Sequence, residues 1–156
     1  MRLYRKIMLL LLFFPVSLNA QEKAVVSIAE LDSIMKTEPR PVVILLTTEW
    51  CTYCKMQKSL LLKAKQNTDK IYFTEFDAET KEAVTFNGKI YTYKPTGIDT
   101  GVNELAIILA NRGDSTLAYP AWVILDKNYK PVYVYQGVLQ GDGLQKMFEA
   151  AETLGL

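Results

Sequence analysis

The sequence lacks histidine entirely and contains only two cysteines, Cys51 and Cys54. A structural zinc site needs four Cys or His ligands and a catalytic one usually three, so these absences exclude the common zinc sites. The cysteines lie in Trp50-Cys51-Thr52-Tyr53-Cys54-Lys55, a spacing that favours a dithiol that opens and closes as a disulfide. Two other interpretations remain: a Cu(I) site formed by the two thiolates, and a purely structural bridge.

The chain also lacks a strong excess of either charge. Its formal net charge is +1, and removing residues 1–20, which hold three positive charges and no acid, takes this to −2. Neither value favours a nucleic acid or a membrane surface as a partner. No internal repeat, low-complexity run or Ser/Gly-rich linker divides the chain, which indicates one domain.

Residues 1–20 have the pattern of an export signal. Three basic residues precede an apolar run at 7–16, and Leu18-Asn19-Ala20 is a candidate cleavage site. The apolar run is shorter than the roughly 20 residues that a membrane-spanning helix needs. We therefore expect cleavage after Ala20, a single domain at 21–156, and a location in the periplasm or outside the cell, where disulfides form and persist. An uncleaved anchor is the alternative, since the cleavage site contains a large leucine.

Hydrophobic patterning predicts an α/β fold. The apolar run Val42–Leu46 is typical of a strand covered on both faces, and the cysteines that follow it open a helix with Met56, Leu60 and Ala64 on one face. The other predicted elements are a helix capped by Ser27 and ending near Lys36, a strand at 71–76, a helix at 102–110, strands at 122–125 and 132–135, and a last helix through Leu144, Met147, Phe148 and Ala151.

The segment Thr85–Tyr93 is expected to form an inserted hairpin or tight loop. Its Asn87-Gly88 pair, flanked by aromatic and β-branched residues, predicts a two-residue turn. The tyrosines of this segment either pack on the surface of the hairpin or face a substrate.

The order of these elements around the Trp-Cys-x-x-Cys-Lys motif resembles the thioredoxin superfamily over nearly all of residues 21–156, and in particular exported thioredoxin-like proteins of bacteria. The similarity implies a thioredoxin-like α/β fold, with a central mixed sheet flanked by helices and a hairpin-like insert before the cis-proline loop. Tyr119-Pro120, directly before the strand at 122–125, resembles that loop, and Gly137 lies where the family has a glycine before its last helix. The similarity implies a cis bond between Tyr119 and Pro120.

The similarity further implies an exported thiol–disulfide oxidoreductase. Cys51, at the helix start, is the expected nucleophile because backbone N–H groups and the helix dipole stabilise its thiolate, and Cys54 is the expected resolving residue. The expected substrate-binding residues are Trp50, Tyr53, Tyr119 and Pro120. The expected partners are a disulfide-containing protein substrate and a membrane or periplasmic electron donor, with no cofactor and no metal. The alternative is a thioredoxin-fold binding module, for Cu(I) or a protein partner, without redox turnover.

One position departs from the family pattern. Thioredoxins usually have a buried aspartate six residues before the first cysteine, and this sequence has Leu45 there. Proton transfer to or from Cys54 then depends on water, Lys55 or Glu49. The departure leaves the direction of the reaction open, and similarity to exported members favours reduction over oxidation.

Overall fold

A computed structural model describes residues 26–63, 70–110 and 116–155. The predicted export signal at 1–20 and Ala64 lie outside these residues. The elements, in chain order, are α1 (Ile28–Thr37), β1 (Val42–Thr47), α2 (Thr52–Lys63), β2 (Tyr72–Asp77), β3 (Val84–Phe86), β4 (Lys89–Tyr91), β5 (Tyr93–Gly97), β6 (Thr100–Asn103), α3 (Glu104–Leu109), β7 (Ala121–Leu125), β8 (Pro131–Gln136) and α4 (Asp142–Thr153). None of the helices in the described ranges is long and apolar enough to cross a membrane.

The central sheet has the strand order β2-β1-β7-β8. Strand β1 runs parallel to β2 and antiparallel to β7, and β7 is antiparallel to β8. Every residue of β1 is buried, because helices cover both faces of the sheet. The predicted α/β fold with a mixed central sheet is therefore confirmed.

Two apolar clusters fill the space between the sheet and the helices on its two faces. On one face, Ile44 and Leu46 of β1 pack against α1, α3 and Phe86 of the insert. On the other face, Val43 and Leu45 pack against α2 and α4, where Trp122 and the rings of Phe73 and Phe148 are in contact. The alternation of β1 side chains between two cores is what a continuous apolar run predicts for a central strand.

The first helix begins where the sequence indicates. The Ser27 hydroxyl accepts a hydrogen bond from the Glu30 N–H at 3.2 Å, and the Glu30 carboxylate accepts one from the Ser27 N–H at 2.9 Å. This capping box satisfies two N–H groups that the helix itself leaves unpaired.

The insert spans Val84–Asn103 and contains two hairpins, whereas the sequence predicts one hairpin or tight loop at Thr85–Tyr93. The first, β3–β4, turns at Asn87 and Gly88, which have φ values of 49° and 70°, as the expected two-residue turn requires. The second, β5–β6, ends at Asn103, and this shortens the helix predicted at 102–110, because Val102 is paired with Lys94 in the hairpin. The Asn103 side chain then caps α3.

The buried face of α2 differs from the predicted one. Cys54, Gln57 and Leu61 are buried, while Met56 is 39% exposed. The polar Gln57 is accommodated because its amide donates to the Leu139 carbonyl at 3.1 Å and accepts from the Leu139 N–H at 2.7 Å. Apolar spacing alone selected the wrong face, since it does not anticipate a polar side chain that is fully paired.

Candidate active site

The two cysteines lie between the end of β1 and the first turn of α2. They form a disulfide with a Cα–Cα distance of 5.2 Å. Cys51 is 4% exposed and Cys54 is 1% exposed, so both residues are buried and Cys51 is slightly the more exposed of the two. The structure thus joins the pair that the sequence spacing predicts.

Cys51 occupies the cap position of α2. Its carbonyl accepts a hydrogen bond from the Lys55 N–H at 3.3 Å, and its sulfur accepts one from the Cys54 N–H at 3.0 Å. A cap side chain normally satisfies an N–H of the first turn with an oxygen, and here a sulfur does so. When the disulfide is reduced, the same N–H and the helix dipole stabilise a thiolate at Cys51.

Trp50 lies in the loop directly before the disulfide and is 66% exposed. Its indole N–H donates to the Glu79 carboxylate at 2.9 Å. Its ring meets the Tyr119 ring edge to face, with centroids 6.2 Å apart and an interplanar angle of 81°. These contacts place Tyr119 beside the Cys-x-x-Cys motif, far from it in the sequence. Tyr53, on the first turn of α2 and 66 positions before Tyr119, is 64% exposed.

The Tyr119–Pro120 peptide bond is cis. Pro120 is buried, and its carbonyl accepts a hydrogen bond from the Gly137 N–H at 2.8 Å, which ties the end of β8 to this loop. The Tyr119 hydroxyl is buried and has no hydrogen-bond partner among the described residues. Burial raises the pKa of this hydroxyl, and the negative charges of Glu79 and Asp77 raise it further.

Leu45 is fully buried in the core, and the residue opposite it on β2 is Glu75. The Glu75 carboxylate accepts a hydrogen bond from the Thr47 hydroxyl at 3.0 Å and forms an ion pair with Lys58. Position 45 therefore provides no carboxylate, and a partly exposed one lies on the neighbouring strand. Lys55 and Glu49, the alternatives that the sequence suggests, are both exposed.

Sequence analysis did not identify Glu79 or Gln57 as residues of this region. Glu79 follows β2 by two residues, and only the fold brings its carboxylate to Trp50. Gln57 looks like an ordinary polar helix residue in the sequence, and only the fold brings the backbone of Leu139 into contact with it. Within the described ranges, no group of three or more His, Cys, Asp or Glu side chains is arranged to hold a metal ion.

Comparison with known proteins gives a family-model match for part of the chain and a similar fold for most of it. Residues 22–96 match the thioredoxin family model. No curated protein matches the chain.

Several solved thioredoxins have a similar structure. The N21Q mutant thioredoxin from Halobacterium salinarum superimposes with a TM-score of 0.52 at 17% identity, covering 82% of this chain and 90% of that one. Thioredoxin Mala s 13 from Malassezia sympodialis gives 0.51 at 18% identity, covering 82% and 89%. Thioredoxin from Fasciola hepatica gives 0.51 at 16% identity, covering 81% and 97%. At these identities the similarity establishes the fold.

Proposed function

We propose that this chain, which contains a thioredoxin domain with a Cys-x-x-Cys pair, reduces disulfides of protein substrates outside the cytosol. The domain and its cysteine pair support thiol–disulfide oxidoreductase activity. The direction of the reaction, the compartment and the assignment of the site residues are our proposals.

The position of Cys51 at the start of α2 carries the proposal. Its sulfur accepts the Cys54 N–H, and that contact strengthens when the sulfur is an anion, because hydrogen bonds to ionised groups are about twice as strong as neutral ones. A thiolate, and not a thiol, is the nucleophile in disulfide exchange. Cys51 is thus the attacking residue, and the more deeply buried Cys54 is the resolving residue.

The reaction in the reducing direction has two steps. The Cys51 thiolate attacks one sulfur of the substrate disulfide, forms a mixed disulfide and releases the other substrate sulfur as a thiolate. Cys54, after losing its proton, attacks the Cys51 sulfur and releases the second substrate sulfur. Two electrons pass from the protein to the substrate, and the Cys51–Cys54 disulfide is the oxidised product, which an external thiol donor must reduce again.

The substrate contacts are assigned to the surface around the disulfide. Trp50 and Tyr53 offer exposed rings beside the sulfur atoms, and the Tyr119-Pro120 loop adjoins Trp50. The backbone of Tyr119 is suited to pair with an extended segment of a protein substrate, in the manner of an added strand.

The proposed location is the periplasm or the outside of the cell. The support is the basic and apolar pattern of residues 1–20. The electron donor is then a membrane-bound or periplasmic thiol protein. Fractionation of cells that express the full chain tests the location, and recovery of the protein only in the cytosol would overturn it.

Insulin reduction by the purified protein, with a dithiol as electron donor, tests the activity. We expect the wild type to be active and Cys51→Ser to be inactive. We expect Cys54→Ser to accumulate a mixed disulfide with the substrate, because the second step is blocked. Equal activity of the wild type and Cys51→Ser would refute the proposal, and titration against a thiol redox buffer decides between reduction and oxidation.

A further inference from the structure

The exposed indole of Trp50 is held in one orientation. An exposed aromatic side chain on a loop is ordinarily free to change rotamer, but this one has two fixed contacts. Its N–H donates to the Glu79 carboxylate at 2.9 Å, and its ring edge meets the ring of Tyr119. The bond to Glu79 is charge-assisted and therefore among the stronger hydrogen bonds of the surface.

The loop that carries Glu79 is held in turn by Asn103, the last residue of the insert. Asn103 is fully buried. Its amide group donates to the carbonyls of Thr80 and Glu82, at 3.4 and 3.2 Å, and its backbone N–H donates to the carbonyl of Ala78 at 2.7 Å. Three carbonyls on both sides of Glu79 are thus bound to a single residue.

The side-chain oxygen of Asn103 fixes the orientation of its amide group. Its side-chain oxygen accepts the Leu105 N–H at 3.0 Å and caps α3. The amide therefore has one orientation that satisfies both its donors and its acceptor, and this orientation directs the NH2 group to the Ala78–Glu82 loop. The Glu79 backbone adds a further constraint, because its N–H donates to the Asp77 carboxylate at 3.0 Å.

We infer that Asn103 and Glu79 are positioning residues for disulfide exchange with protein substrates. The insert Val84–Asn103 holds the Ala78–Glu82 loop through Asn103, and Glu79 on that loop holds Trp50 beside Cys51. The inference rests on the proposed function and assigns the insert a role in it. A fixed ring lowers the entropy cost of docking a polypeptide beside the disulfide, since the side chain is ordered before the substrate arrives.

The consequence differs between substrates. A protein disulfide is presented by a chain that must pack against Trp50, whereas a small disulfide such as hydroxyethyl disulfide reaches the Cys51 sulfur without that contact. Loss of the Glu79 contact therefore acts on protein substrates selectively. A purely structural role for Glu79 predicts no such selectivity.

The test compares Glu79→Ala and Glu79→Gln with Glu149→Ala, which removes an exposed carboxylate bound to Gln145 on α4. For insulin, we expect Glu79→Ala to lower kcat/KM by roughly tenfold, the upper end of the range for loss of a typical hydrogen bond, chiefly through a higher KM. For hydroxyethyl disulfide, we expect its rate to equal that of the wild type. Glu79→Gln should restore most of the insulin rate, because an amide oxygen also accepts the indole N–H, although without the charge. Glu149→Ala should match the wild type with both substrates.

Fluorescence reports the orientation of Trp50 without depending on activity. The only other tryptophan, Trp122, is fully buried, so acrylamide quenching reports mainly on Trp50. We expect stronger quenching in Glu79→Ala and wild-type quenching in Glu79→Gln. Asn103→Asp, which keeps the cap oxygen and loses the two donors, should resemble Glu79→Ala if it folds, and the Glu79 variants decide the matter if it does not.

The outcomes separate this inference from the proposed function. Unchanged quenching and an unchanged insulin rate in Glu79→Ala would overturn the inference, and so would equal losses with both substrates or the failure of Glu79→Gln to restore the rate. A wild type that reduces neither substrate would overturn the proposed function. In that case the quenching series still decides whether Glu79 and Asn103 position Trp50.

Discussion

The sulfur of Cys51 takes the place that a serine or aspartate oxygen takes at many helix starts. In the oxidised protein it accepts the Cys54 N–H at 3.0 Å while it is bonded to the Cys54 sulfur. Reduction breaks the bond between the sulfurs and leaves the donor in position for a thiolate. One backbone N–H therefore bonds to the cap sulfur in the oxidised form and is in position to stabilise the thiolate of the proposed nucleophile in the reduced form.

The Cys51 sulfur has a hydrogen-bond partner, whereas the Tyr119 hydroxyl is buried with none among the described residues. Leaving such a group unpaired costs about 1 to 3 kcal/mol. We predict that Tyr119→Phe raises the free energy of unfolding by about 1 kcal/mol, since the ring and its contact with Trp50 remain. Urea unfolding at neutral pH measures this. Tyr133→Phe, at an exposed position, is the control and should change stability by less than about 0.5 kcal/mol.

The same hydroxyl predicts a loss of stability in alkali. Burial and the nearby carboxylates raise the pKa of Tyr119 in the folded protein above its ordinary value of 10.0, which the unfolded chain retains. Above pH 10.0 the unfolded state releases this proton and the folded state does not, so stability falls as pH rises. Tyr119→Phe should flatten that decline in unfolding experiments across this range. An equal decline of stability in the wild type and in Tyr119→Phe would show that this hydroxyl does not cause the alkaline loss.

At the scale of elements, Gln57 joins α2 to the loop before α4. Its side chain is fully buried and pairs with both backbone groups of Leu139. We predict that Gln57→Leu lowers the free energy of unfolding by about 2 kcal/mol, because the N–H and carbonyl of Leu139 lose their partner while the volume is nearly kept. Gln145→Leu, on the exposed face of α4, is the matched control. A similar loss of stability in both variants would show that the hydrogen bonds between Gln57 and Leu139 contribute nothing specific.

The second position of the first hairpin's turn, Gly88, has a backbone conformation that favours glycine. Gly88 has a φ of 70°, and an added Cβ would meet nothing within 4 Å, so only the backbone conformation opposes substitution. We predict that Gly88→Ala destabilises the protein by about 1 to 2 kcal/mol. Gly143→Ala, in α4 with ordinary contacts, should instead stabilise it by up to about 1 kcal/mol. Thermal unfolding of the two variants must shift in opposite directions.

The elements that the sequence predicts well are those whose signals are local. The capping box at Ser27, the apolar run of β1 and the Asn87-Gly88 turn each determine their element within a few residues. The second hairpin was not predicted, since Val102 has an apolar side chain that suits a helix equally well. Its strand pairing with Lys94 depends on the tertiary fold.

The residues of the candidate site also divide into those with a local sequence signal and those that depend on the tertiary fold. The spacing of Cys51 and Cys54 is a local signal, and the pair is joined in the structure. Glu79 and Asn103 were missed because their contacts reach 29 residues back to Trp50 and 21 to 23 residues back to the loop. Contacts at such separations leave no periodic trace in one sequence.

At the scale of the whole molecule, the disulfide contributes little to holding the domain together. Two apolar clusters on opposite faces of the sheet bury residues from all four described helices, and neither contains Cys51 or Cys54. The bridge spans only three positions along the chain. A redox-active pair needs this independence, because the protein must stay folded in both states to exchange electrons repeatedly.

We predict that reduction lowers the free energy of unfolding by less than about 2 kcal/mol, the chain-entropy contribution of a bridge that closes so short a loop. The Cys51 thiolate offsets part of this loss, since the helix start stabilises an anion by about 0.3 to 1 kcal/mol. Urea unfolding with and without a dithiol measures the difference, and the Cys51→Ser/Cys54→Ser variant must give the same result in both conditions. If reduction alone unfolded the wild type, the bridge would be a structural staple, because a pair that turns over must leave the fold intact when it opens.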